Sequence, residues 1–186
     1  MKHGVLSDTQ ISTLINNGAI SASVDFEEGQ VQPASLDLRL GHRAYRVRAS
    51  FLTGLGQIVT ERLKQFTMHE IDLTDGAVLE KNCVYVVPLM EILALPHGIT
   101  AAASAKSSTG RLDLLTRIIT DNGIEFDRVP EGYAGPLYVE ICPRSFSVLV
   151  RPGLMLNQII FRNGKTFIND INLTTLHAKT PIVDGI

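Results

Sequence analysis

Apolar and polar positions fall into one helical stretch near the N-terminus and then into short runs of period two. Ile11, Leu14 and Ile15 recur at helical spacing. Ser7 and Gln10 precede them three apart, as in a capping box, and Gly18 after Asn17 supplies a stop. From Gln32 to Gly41 the period becomes two, with Leu36, Leu38 and Leu40 on one side and Ser35, Asp37 and Arg39 on the other. Residues 44–48 continue as a strand, and 50–57, with Thr53, Gly54 and Gly56, read as a loop. Residues 60–69 fit a second helix with Leu63 and Phe66 inward.

Beyond residue 70 the pattern is mostly β, with strands expected at 78–79, 84–89, 137–142, 146–150 and 154–161. Turn chemistry separates them at Asp75-Gly76, Pro96-His97-Gly98, Glu131-Gly132, Pro143-Arg144 and Arg151-Pro152-Gly153. Many short strands at close spacing predict a mainly β barrel or sandwich. Residues 164–186 are polar and weakly patterned, so a domain over 1–163 is expected to end in a strand end or tail.

Composition narrows the classes. At 186 residues, 45% of them apolar, the chain suits one domain with a sizeable core. A net charge of −2 without blocks of like charge argues against a nucleic-acid face. No apolar run is long enough to span a bilayer, and the first residues lack the apolar core of a signal peptide. Cys83 and Cys142 sit singly in apolar runs, which suggests reduced, buried thiols and a cytoplasmic setting.

The candidate chemistry concentrates in Lys106-Ser107-Ser108-Thr109-Gly110-Arg111. Hydroxyls, backbone N–H groups at the mouth of a short helix and a forked guanidinium suit a polyphosphate. A solvated turn with a helix cap fits the same spacing. Glu140 follows inside Leu137-Tyr138-Val139-Glu140-Ile141, where Leu137, Val139 and Ile141 would face the core and Tyr138 and Glu140 the other way. Its spacing alone also fits an outward carboxylate on a half-exposed strand. Asp37 and Arg39 read as a buried pair that fixes strand register, and His42, His69 and His97 as surface or turn residues.

The ordered set of Gln32-to-Gly41, Lys106-to-Arg111, Gly132-Tyr133-Ala134-Gly135, the Glu140 strand and Arg151-Pro152-Gly153 with Gln158 resembles the dCTP deaminases of the dUTPase superfamily. The likeness runs over residues 5–162. Phe126-Asp127, Gly135-Pro136-Leu137-Tyr138 and Pro143-Arg144-Ser145-Phe146 resemble the first half of the longer, two-lobed members. The resemblance implies a distorted jelly-roll β-barrel with an N-terminal helix and one or two short helices. It also implies a homotrimer with sites between subunits.

The activity so implied is hydrolysis of dCTP to dUTP and ammonia, with dTTP as a possible inhibitor and Mg²⁺ arriving on the triphosphate. The His-x-Glu and Pro-Cys-x-x-Cys patterns of the zinc deaminases are missing, and the histidines lack ligand spacing, so no protein-bound metal is expected. By resemblance Glu140 is the general base and Ser107 orders the reacting water. Ser108 and Arg111 would contact phosphates, Lys106 stands where the family has a basic residue, Gly110 lets the backbone approach closely, Thr109 belongs to the same substrate-binding stretch, and backbone groups of Tyr138 and Val139 would read the pyrimidine. Tyr133 would pack under the deoxyribose, and Gln158 would contact the nucleotide.

Two departures stand out. The dUTPase branch carries an aspartate three residues before its sugar-stacking tyrosine, and here that position is Pro130, with Asp127 six back. Pyrophosphatase chemistry is therefore the secondary expectation. Short members also carry a C-terminal lid with Tyr, Lys and Gln, which Lys165, Lys179 and their neighbours do not reproduce. That leaves a nucleotide-binding subunit needing a partner half as a third reading.

Overall fold

The computed structural model describes residues 3–183. The chain begins β1 (Gly4–Val5), α1 (Asp8–Asn16), β2 (Ile20–Ala22), β3 (Val31–Gln32), β4 (Ser35–Arg39), β5 (Arg43–Val47) and α2 (Val59–Phe66). It continues through β6 (Thr67–Asp72), β7 (Ala77–Leu79), β8 (Val84–Ala94), β9 (Ile99–Ala105) and α3 (Ser107–Arg111). The last elements are β10 (Leu114–Thr120), β11 (Arg128–Val129), β12 (Ala134–Pro143), β13 (Val148–Val150), β14 (Met155–Asn163) and α4 (Asp170–Lys179).

The fold is mainly β, as expected. One antiparallel sheet runs β11-β9-β14-β4-β3, with β1 also on β14, and a second runs β10-β12-β8-β5-β6, with β2 also on β8. β13 and β7 form a separate ribbon. An isolated bridge from Leu40 to Leu89 joins the two large sheets, which face one another rather than forming one continuous hydrogen-bonded cylinder among the described residues.

The main core lies between them. Leu36, Leu38, Ile159 and Phe161 of the first sheet meet Tyr85, Val87, Ile118, Val139 and Ile141 of the second. Helix α1 closes one side with Ile11 and Leu14, and its start is capped where Gln10 Oε1 accepts from the Ser7 N–H at 3.0 Å. A second cluster covers the far face of the second sheet, where Phe51, Val59 and Leu63 pack on Val86, Ile119 and Tyr138. The 48–58 segment and α2 thus roof the strand that carries Glu140.

Several sequence expectations need correction. The helix read over 60–69 ends at Phe66. Thr67 leaves with extended backbone, and Thr67–Asp72 pairs with β5, because ladder hydrogen bonds outweigh helical spacing there. β8 runs on through Pro88 to Ala94, since Pro88 keeps a usable carbonyl that accepts from the Gly41 N–H at 2.8 Å. Neither β9 nor β10 was anticipated. β9 is alanine-rich and intrinsically a weak strand former, yet it pairs with β14 along its whole length. The segment after residue 164 holds α4, capped by Asn169 Oδ1 accepting from the Asn172 N–H at 2.9 Å, with no buried residue.

Asp37 and Arg39 are buried as expected, but they do not pair with each other. Both point away from the main core. Arg39 places Nε 2.8 Å from Glu91 Oε1, and Asp37 is ion-paired with Lys106 Nζ. Alternation along a strand separates faces without saying which is wet, and here the 24–30 segment covers the second face. Cys83 and Cys142 are free thiols, and His42, His69 and His97 are exposed. Among the described residues no helix is long and apolar enough to cross a membrane.

Candidate functional site

The hexapeptide forms the crossing between the two sheets, with β9 leading into Lys106 and β10 leaving after the turn at Asp113. Two of its residues are structural. Thr109, buried, donates its hydroxyl to Leu156 O at 2.8 Å, and the Lys106 N–H donates to the same carbonyl at 2.9 Å. The Lys106 ammonium is ion-paired with Asp37, because the buried carboxylate needs a counter-charge.

The remaining residues stay unspent. Ser107, Ser108 and Arg111 are exposed, and their side chains make no hydrogen bond or ion pair among the described residues. Gly110 is also exposed, and a Cβ added there would meet nothing within 4 Å. It lines a cavity of about 630 Å³ with Asp113, Leu114, Leu115, Thr116 and Arg144. The first N–H groups of α3 lack helical partners by geometry. The crossing therefore presents two hydroxyls, a guanidinium and backbone donors to an anion.

Glu140 lies in the middle of β12, opposite Arg117 on β10 and Val86 on β8. Only 2% of it is exposed. Arg117 Nε and Nη2 both donate to its Oε1, at 3.1 and 2.5 Å, while its Oε2 is buried with no hydrogen-bond partner among the described residues. The guanidinium also donates to Ser50 Oγ at 3.0 Å and stacks 3.9 Å from the Phe126 ring. Sequence reading missed Arg117. A strand over 114–120 would have shown it, because Leu115, Arg117 and Ile119 share the face of β10 that meets Cys142, Glu140 and Tyr138.

Asp127 neighbours this group. It has positive φ, and its Oδ1 accepts from the Ile118 N–H at 2.8 Å. Burial raises its pKa above the ordinary carboxylate range, against the opposing pull of that hydrogen bond and of Arg117.

The other expected site residues are scattered. Tyr133 packs in the main core and donates its hydroxyl to Pro136 O at 2.6 Å, and burial raises its pKa. Tyr138 lies in the second cluster, where burial, reinforced by Asp121 and Tyr45, pushes its hydroxyl up to about 12. Tyr138 and Val139 belong to an interior strand, in register with Ile119 and Pro88, and with Ile118 and Val87. Gln158 on β14 stands between Asp37 and Ser104, with its Nε2 3.5 Å from Ser104 Oγ.

The register decides what one chain can assemble. Gln158 is on the face of the first sheet turned from the shared core, beside Asp37 and the root of the hexapeptide. Glu140 is on the face of the second sheet turned from that same core. The two look away from each other, so a single chain does not bring them to one ligand. Among the described residues no group of three or more His, Cys, Asp or Glu side chains is placed to hold a metal ion.

Comparison with known proteins gives this arrangement its class. The chain matches the family described as the 2′-deoxycytidine 5′-triphosphate deaminase (DCD) N-terminal domain over residues 2–165, and belongs to it. The crystal structure of 2′-deoxycytidine 5′-triphosphate deaminase from Agrobacterium tumefaciens is similar over 100% of this chain, with 50% identity and a TM-score of 0.93. This chain spans 56% of that protein's length. A Methanoculleus marisnigri protein named "dCTP deaminase, dUMP-forming" is 30% identical over 163 residues, covering 84% of this chain and 79% of its own. A Halorubrum lacusprofundi protein named "dCTP deaminase" is 28% identical over 176 residues, covering 87% and 78%.

Proposed function

We propose that this chain is a zinc-independent dCTP deaminase whose site is completed between copies in a homotrimer. The observation that carries the reading is Glu140, a carboxylate buried on the outer face of the second sheet with one oxygen ion-paired and the other bare. Water adds through oxygen to C4 of cytosine. Glu140 takes a proton from that water and relays it toward the departing amino group. The second water proton ends on N3, leaving a C4 carbonyl, so dCTP and water become dUTP and ammonia. The exposed Ser108 and Arg111 bind the triphosphate of the same molecule from a neighbouring chain, Ser107 beside them orders the reacting water, and Mg²⁺ enters as part of that substrate. The opposed faces of Glu140 and Gln158 support a shared site. The reaction belongs to cytoplasmic pyrimidine deoxynucleotide synthesis, where it supplies dUTP.

A dUMP-forming reading is favoured by the name of the Methanoculleus relative. It requires a carboxylate to orient water at the α-phosphorus. Of the two candidates near that position, Asp127 accepts from the Ile118 N–H, and Glu131 lies 3.4 Å from His97 Nδ1. One assay separates the readings: the purified chain is incubated with dCTP and Mg²⁺, and the products are resolved by ion exchange. dUTP with ammonia supports deamination alone, and a monophosphate supports the dUMP-forming reading. No product with a dCTP-dependent thermal shift marks a binding subunit that needs a partner half.

A further inference from the structure

We propose that Arg117 is a positioning residue for Glu140, gripping one carboxylate oxygen and directing the other to the reacting water. The inference rests on the reading of Glu140 as the base. An arginine that served only to neutralise a buried carboxylate would favour the two-pronged pairing that occupies both oxygens. Here both nitrogens converge on Oε1, at 3.1 and 2.5 Å, and Oε2 is spared although it is buried. A buried acceptor without a partner is costly, and a catalytic role or an ordered water or ion accounts for one.

The guanidinium is itself fixed from two further segments. Phe126, between β10 and β11, offers its ring at 3.9 Å, and Ser50, in the roof over the second sheet, accepts at 3.0 Å. Phe126 is held in turn because Asp127 is anchored to Ile118. Arg117 is 31% exposed at the side chain against 2% for Glu140, so the guanidinium stands between the carboxylate and solvent. The ionisable groups around Glu140 are Arg117 from β10, Asp127 from the segment after it, Tyr138 on its own strand and Tyr45, two strands along the same row through Val86. Arg117 is the cation in that set.

The test combines kinetics with direct titration of Glu140 in the full chain. Arg117→Gln, Arg117→Lys and Phe126→Leu are compared with the unchanged protein by ¹³C NMR of labelled glutamate carboxyls, assigned with Glu140→Gln. In Arg117→Gln the Glu140 signal is expected to titrate at higher pH than in the unchanged protein, since a buried carboxylate has lost its cation. kcat for dCTP is expected to fall roughly tenfold or more with KM nearly unchanged, and the acid limb of the kcat profile to move up with the NMR titration. Arg117→Lys keeps the charge without the fork, so it holds the titration while lowering kcat. Phe126→Leu loosens the plane and does the same more weakly, which covers the case in which Arg117→Gln folds poorly. An unmoved Glu140 titration in a folded Arg117→Gln overturns the inference. A moved titration in a chain that never turns over dCTP keeps Arg117 as the group that holds Glu140 and removes the base assignment instead.

Discussion

Arg39 of the first sheet and Glu91 of the second form a buried pair that ties the sheets together at one corner. Arg39 Nε and backbone N–H each lie 2.8 Å from a different oxygen of Glu91. The rest of the guanidinium donates to the carbonyls of Asp25 and Val24, and Gln30 Nε2 donates to Glu91 at 2.8 Å. The side chains are 1% and 0% exposed, so neither charge has water to fall back on.

Removing one partner strands the other. Glu91→Ala is expected to lower stability by roughly 3–5 kcal/mol, read from urea unfolding, because the buried guanidinium then keeps only the exposed Glu27 carboxylate, 3.6 Å away, as a counter-charge. A loss below about 1 kcal/mol would place this pair with exposed ion pairs in energetic terms.

How much of this was legible in the letters depended on whether a signal was local. α1 announced itself through Ser7, Gln10 and the Ile11–Leu14 spacing, because a capping box is written within one turn. The outward register of Glu140 was readable from Leu137, Val139 and Ile141 for the same reason. β9 was not, since its alanines become a strand only by pairing with β14. The partner of Glu140 was hidden by the same mechanism: Arg117 sits 23 positions away and meets it only through the β10–β12 register. The ion pair of Lys106 with Asp37, 69 positions away, was hidden in the same way. Ser107, Ser108 and Arg111 are exposed, because nothing distant reaches them.

Glu140→Gln should abolish turnover while leaving dCTP binding intact. The change is nearly isosteric and removes the proton acceptor, and loss of a general base costs about 10²–10⁴-fold in rate. Single-turnover kinetics beside a calorimetric titration with dCTP checks both halves. Unchanged turnover would remove Glu140 from the reaction.

Arg111→Ala should weaken dCTP binding about tenfold, in line with the loss of a charge-assisted hydrogen bond of roughly 1.5–3 kcal/mol. Binding of deoxycytidine, which lacks phosphates, should not change. Equal losses for nucleotide and nucleoside would mean that Arg111 shapes the fold rather than grips the triphosphate.

Alkaline pH offers a separate check on burial. Tyr138 is pushed up to about 12 from its ordinary 10.0, mainly by desolvation. The folded chain therefore keeps this proton where the unfolded chain releases it. The resulting stabilisation is complete below the ordinary value and lost as pH rises through about 12. Absorbance at 295 nm should show late-titrating tyrosines that ionise with unfolding, and Tyr138→Phe should remove one of them. Early, reversible ionisation of all tyrosines would contradict the packing of the second cluster.

The shared site is tested most directly by mixing two inactive chains. Glu140→Gln keeps the hexapeptide, and Ser107→Ala with Arg111→Ala keeps the base. Co-refolded in equal amounts, they should recover about a quarter of normal dCTP deamination, as random assortment around a three-fold ring pairs an intact base with an intact hexapeptide at that frequency. If the mixture stays as inactive as its components while a trimer forms, Glu140 and the hexapeptide do not act on the same molecule across a subunit boundary.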